Sequence, residues 1–117
     1  MKAMFVNEDS YPFAELMGAG FKTAETRSRK MLSALVGERV AIVSTKRSRK
    51  PLIIGFVDVT EERFCLMDEV REQTKVAKGS KYDADYKWCY FLKNSVRCNP
   101  FPLPSSAIRH GRSWCEF

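Results

Sequence analysis

The sequence predicts an α+β domain: a small mixed sheet of five to six strands, curled into a barrel-like form, with two or three flanking helices. Three observations lead there. Strand chemistry, meaning β-branched, aromatic or alternating runs, recurs in at least five segments, whereas helical spacing is clear in only two. The 117 residues, 44% hydrophobic and 29% charged, have the size and balance of one ordinary domain with a real core, so residues 1–117 are read as a single domain. So few short strands can hide their apolar faces only if the sheet curls and a helix plugs its end.

Lys2 to Val6 reads as the first strand. Asp9 or Ser10 can cap a helix that has Pro12 in its first turn and Phe13, Leu16 and Met17 on one face. Gly18 and Gly20 stop that helix, and a short alternating run follows, Lys22-Thr23-Ala24-Glu25-Thr26-Arg27. In a strand, residues two apart share a side, so Thr23, Glu25 and Arg27 fall on one face and Ala24 and Thr26 on the other. Ser28 to Val36 has helical spacing at Met31, Leu32 and Leu35 but is short, and Gly37 closes it.

Glu38 to Ser44 is a β-branched strand. Thr45 to Pro51 is a polar, basic connection, and Leu52 to Val59 is a strand buried on both faces. Gly55 within it marks a bulge or a close backbone approach. Thr60 to Arg63 reads as a turn, and Phe64 to Met67 as a brief strand. Asp68 can cap a second helix reaching about Val76, and Lys78 to Asp85 is a loop. Tyr86 to Leu92 is an aromatic strand. The prolines of Asn99 to Pro104 bar it from a sheet interior, and Arg112 to Phe117 ends the chain as an alternating strand.

The net charge of +6 favours polyanionic partners, nucleic acid first. Arg27, Arg29 and Lys30 form one basic cluster, and Lys46, Arg47, Arg49 and Lys50 another. Apolar runs are too short to span a bilayer, and Asn7-Glu8-Asp9 interrupts any leader-like stretch at the start, so a cytoplasmic, non-membrane protein is expected. Cys65, Cys89, Cys98 and Cys115 lack the paired spacing of a zinc site, and His110 is the one histidine, so no metal or other cofactor is expected. The cysteines are read as small core residues, His110 as an exposed loop residue, and Trp88, Tyr90 and Trp114 as core more than as stacking platforms.

Taken as a series, Phe13-Ala14-Glu15-Leu16-Met17, Gly20-Phe21-Lys22-Thr23-Ala24-Glu25-Thr26-Arg27, Gly37-Glu38-Arg39-Val40-Ala41-Ile42, Ile54-Gly55-Phe56-Val57-Asp58-Val59, Lys87-Trp88, Pro100-Phe101-Pro102 and Gly111-Arg112-Ser113-Trp114 resemble the ASCH family, a branch of the PUA-like superfamily. The resemblance spans nearly the whole chain. It implies a PUA-like β-barrel with flanking helices, a cleft between barrel and helix, and binding of RNA or other nucleic acid. One branch of the family is an amidohydrolase that deacetylates acetylcytidine with a lysine base and a threonine nucleophile three residues on. Lys22 matches that lysine, but Glu25 stands at the threonine position. The branch's glutamate has no clear counterpart, since Glu69 and Glu72 lie where the match fades. Another member cleaves RNA.

The readings are, in order, an RNA-binding module, a small hydrolase of a modified nucleoside or of RNA, and a protein-interaction domain. Candidate nucleic-acid contacts are Lys22, Thr23, Glu25, Arg27, Arg29, Lys30, Ser44, Lys46, Arg47, Arg49, Lys50 and Arg112, with Thr45 beside them at the expected mouth. In an enzyme, Lys22 would be base or anchor, Glu25 a general base for water and Arg27 the stabiliser of developing negative charge.

Overall fold

A computed structural model describes residues 1–117. Its order is β1 (Lys2–Asn7), α1 (Phe13–Gly18), β2 (Ala24–Arg27), a 3₁₀ turn (Ser33–Leu35), β3 (Arg39–Lys46), β4 (Arg49–Leu66), α2 (Met67–Thr74), β5 (Tyr86–Pro102), β6 (Ile108–His110) and β7 (Trp114–Glu116). The strands form one seven-stranded sheet in the order β2-β5-β4-β3-β1-β7-β6, antiparallel except where β1 runs parallel to β3.

The α+β class and the curled sheet hold; the closed barrel and the count of five to six strands do not. A strand has two edges. β1 gives one to β3 and the first half of the other, Lys2 to Met4, to β7, and no ladder joins it to β2. The ladder to β7 runs through Lys2, Ala3 and Met4 and ends with Phe5 N–H donating to Ser113 O at 3.0 Å. Beyond that point the seam between β1 and β2 has no ladder.

β4 and β5 explain the other differences. At about 3.3 Å per residue, the 18 residues of β4 would extend about 60 Å, yet the longest dimension of the molecule is 37 Å. The strand therefore bends, through register shifts at Ile53/Gly55, Phe56/Asp58 and Val59/Glu61. Thr60 to Arg63 is not a turn. It continues β4 opposite Phe91, Tyr90 and Cys89 of β5, and its polar residues are those of a strand with a wet face. The basic connection shrinks to Arg47 and Ser48, with Lys46 closing β3 and Arg49 opening β4. Pro100 and Pro102 fall where β5 has lost β2 as a neighbour, so the missing donors face a free edge.

Neither helix has the side-chain cap expected of it. Asp9 instead accepts from the backbone N–H of Arg47 at 2.9 Å and ties the hairpin tip to the start of α1, while Asp68 lies inside the first turn of α2. Gly55 is a close approach as expected, since a Cβ there would stand 2.3 Å from the Val96 carbonyl oxygen.

Alternation along β1 and β3 divides the core in two. Met4, Val6, Val40 and Ile42 join the larger cluster, sealed by Phe13, Ala14 and Met17 of α1 and by Leu32 and Leu35. Ala3, Phe5, Ala41 and Val43 face a smaller cluster with Ile53 and Cys115. The four cysteines are unpaired, and Cys65, Cys89 and Cys115 are buried. No helix is long and apolar enough to cross a membrane.

Candidate functional site at the open seam

The end of α1 sets the position of Lys22. Gly20 adopts φ +82°, a conformation disfavoured for other residues, and the reversal lets Phe21 and Lys22 donate their N–H groups back to Leu16 O at 2.9 and 3.0 Å. Phe21 is left exposed, and Lys22 turns inward to 1% exposure. Its ammonium donates to Thr74 O at 2.5 Å, so it satisfies a carbonyl at the C-terminus of α2, where a cation is favourable. It also lies 3.3 Å from Glu25 Oε1 and 4.8 Å from the centre of the Phe13 ring.

Glu25, on β2, is 6% exposed. Arg27 Nη1 donates to its Oε2 at 2.5 Å, and Thr26 N–H donates to its Oε1 at 3.1 Å. Burial alone would raise this carboxyl. The Arg27 and Lys22 charges and the two hydrogen bonds overcome it and hold the group at about 2. Lys22 is lowered too, but toward its neutral form, since burial lowers its pKa and the Glu25 charge only partly offsets that. Arg27 Nη2 donates to Phe5 O at 2.6 Å, the next carbonyl on β1 after the β7 ladder stops. One guanidinium therefore bridges the seam that backbone pairing leaves open.

Around this bridge lies a cavity of about 520 Å³, lined by Phe5 to Asn7 of β1, Phe13, Lys22, residues Glu25 to Ser28, and parts of the later chain. Its charged lining is Lys22, Arg27, Lys87, Arg109 and Arg112 against the single carboxylate of Glu25. Lys87 is half-buried and donates to Tyr82 O at 2.8 Å; burial is the main cause of its lowered pKa. Tyr82 packs edge-on against Phe13, with ring centres 5.5 Å apart, and its hydroxyl is 3.2 Å from Ser10 Oγ. The loop carrying Tyr82 is clamped by Arg71, whose Nη1 and Nη2 donate to the two carboxylate oxygens of Asp83 at 3.0 and 3.2 Å.

Of the residues proposed from sequence, the cavity brings together Lys22, Glu25, Arg27 and Arg112, with Thr45 beside them; Thr26, read from the sequence as facing the opposite side, also lines it. The others lie elsewhere. Thr23 is spent on backbone bonds, its N–H donating to Gln73 O and its carbonyl accepting from Leu92 N–H. Ser44 is buried, donating to Glu8 and accepting from Arg49 Nη2 at 2.6 Å. Lys46, Arg47 and Lys50 sit at the exposed hairpin tip. Lys30 lies over Trp88, 4.9 Å from the ring centre and 3.7 Å from Glu62, while Arg29 is exposed outside the cavity. Tyr90 is fully buried, and its hydroxyl donates to Glu62 at 2.7 Å. His110 is exposed, but on a strand and stacked on Trp114 at 4.0 Å between ring centres.

Lys87, Arg109 and Tyr82 were not foreseen. Arg109 comes from β6, and the signal for it was present: a short apolar–basic run and Gly111, which takes φ +65°, ahead of the terminal strand, as in a hairpin. No three His, Cys, Asp or Glu side chains gather in a way that could hold a metal ion.

No protein-family model matches the sequence, and no curated protein matches it. Solved structures match its fold. The crystal structure of ASCH from Zymomonas mobilis superposes with a TM-score of 0.68 at 18% identity, covering 86% of this chain and 73% of that one. Two single-residue mutants of the same protein match with TM-scores of 0.65, at 18% identity over 86% of this chain and 73% of theirs, and at 19% over 88% and 77%. The chain has the fold of these ASCH structures.

Proposed function

We propose that this chain is an ASCH protein of the cytoplasm that binds RNA or a related single-stranded nucleic acid in the cleft at the seam. The observation that carries the reading is the cleft itself: a cavity of about 520 Å³ in which Lys22, Arg27, Lys87, Arg109 and Arg112 outnumber one carboxylate. Pockets of roughly 300–1,000 Å³ hold small ligands, so the space suits one nucleotide unit, with Phe13 and Tyr82 as apolar walls. The net charge of +6 adds long-range attraction for a polyanion. No metal or cofactor enters the reading. Its test is binding of short single-stranded RNA, single-stranded DNA and duplex by fluorescence anisotropy between about 50 and 200 mM salt. Affinity is expected to fall steeply with salt. A protein with no salt-dependent affinity for any of the three is not a nucleic-acid binder.

Lys22 favours a second reading, a small hydrolase of a modified nucleoside or of RNA. A buried lysine whose pKa is lowered, on the wall of a cavity, is the kind of group that serves as a base. Glu25 is unsuited to activate water, because a carboxylate held at about 2 with both oxygens engaged is a weak base. It would orient Lys22 instead. Release of acetate from acetylcytidine, absent in a folded Lys22→Ala variant, would support this reading. Equal turnover in that variant would remove it.

A further inference from the structure

We propose that Arg109 and Arg112, and not the Lys22–Glu25–Arg27 group, form the phosphate hold of the cleft. The inference rests on the nucleic-acid reading above. A charge attracts a ligand only to the extent that the protein has not already neutralised it. Lys22 and Arg27 share Glu25, and their donors are further committed to Thr74 O, Thr26 O and Phe5 O. Those cations are occupied in building the seam. The hairpin-tip arginines are also engaged, Arg47 near Asp9 at 3.8 Å and Arg49 near Glu8 at 4.0 Å.

Among the cations of the cavity, Lys87, Arg109 and Arg112 have no acidic partner within salt-bridge distance, and Lys87 spends one donor on Tyr82 O. Arg109 and Arg112 donate no side-chain hydrogen bond within the molecule, and both are exposed. Arg109 is nonetheless positioned. Its guanidinium lies over the Phe5 ring, 4.9 Å from the centre, which supports the group by its face and leaves its in-plane donors to a ligand. Phe5 is also the residue whose carbonyl Arg27 holds, so the rim arginine and the bridging arginine meet on one residue of β1. Arg112 follows Gly111 in the β6–β7 turn. Two guanidinium forks at the edge of a nucleotide-sized cavity suit the oxygens of a phosphate. That phosphate can be an internal diester of a strand or the monoester of a free nucleotide.

The test uses the intact protein with octauridylate, uridine 5′-monophosphate and uridine as probes. The Arg109→Ala, Arg112→Ala double variant is expected to weaken octauridylate binding at least tenfold. It should also flatten the dependence of log Kd on log salt by about 0.7, the figure for one single-strand phosphate. A Lys46→Ala, Arg47→Ala variant is expected to stay within about twofold of wild type. In NMR spectra, the monophosphate should move the Arg109 and Arg112 side-chain Nε–H signals and uridine should not. Movement with octauridylate but not with the monophosphate would assign the hold to diesters alone. If the wild type binds octauridylate and the arginine double variant binds equally well, the hold is misassigned while the nucleic-acid reading stands. If the wild type binds neither phosphate-bearing probe, both fall.

Discussion

Replacing Glu25 by glutamine tests the physical heart of the site. The change keeps the shape of the side chain and removes its charge, so the Lys22 ammonium is left buried at 1% exposure with Thr74 O as its remaining close partner. The magnitude follows from the carboxyl itself. It titrates at about 2 instead of 4.5, and each pH unit corresponds to about 1.4 kcal/mol, so the ionised form contributes about 3 kcal/mol to folding. Breaking a buried ion pair from one side costs a similar amount, about 3–5 kcal/mol. The folded value is depressed, so this contribution is fully present above about 4.5 and is lost as the pH falls toward about 2. Urea unfolding at neutral pH should therefore show Glu25→Gln less stable by about 3 kcal/mol, against a total of about 5–15 kcal/mol for a domain. The gap should narrow steadily below pH 4.5. Lys22→Met combined with Glu25→Gln removes the stranded ammonium and should recover part of the loss. A Glu25→Gln protein within about 0.5 kcal/mol of wild type at neutral pH, the usual range for surface changes, would refute the claim that the group is a buried, mutually dependent unit.

Other outcomes follow from single contacts. Gly55→Ala should cost about 2 kcal/mol or more in urea unfolding, because the new methyl meets the Val96 backbone carbonyl, which cannot rotate away. Tyr90→Phe should cost about 1–2 kcal/mol by the same measurement, since it removes the donor to Glu62 and leaves the buried Leu32 N–H without its acceptor. The pKa of Lys22 is lowered from 10.5, so below that value the unfolded chain binds the proton more readily than the folded one. Wild-type stability measured against Lys22→Met should therefore rise as the pH climbs toward 10.5, and a flat difference would argue that the amine is not desolvated.

Local chemistry made much of this molecule legible. The glycines after Met17, the β-branched run before Ser44 and the alternation in Arg112 to Phe117 each specify backbone conformation through near neighbours, and each was found close to where it was read. The same is true of Lys22, Glu25 and Arg27, whose convergence follows from a helix stop and the two-residue period of a strand. Sequence and structure part where an element's state depends on a distant partner. Thr60 to Arg63 looks like a turn because it is polar, yet it is a strand because β5 runs beside it. Asp9 looks like a helix cap, yet the hairpin tip takes its carboxylate.

The sequence by itself determined the α+β class, the curl of the sheet and the charged trio after the first helix, because all of these rest on composition, periodicity and short spacing. Only the tertiary structure decided that the barrel stays open, that Arg27 spans the gap, and that Lys87, Arg109 and Arg112 remain unpaired beside it. The physical reason is edge competition. β7, from the far end of the chain, takes the first half of the free edge of β1, and the last strands thereby shorten the edge left for β2 and bring their own arginines to the opening.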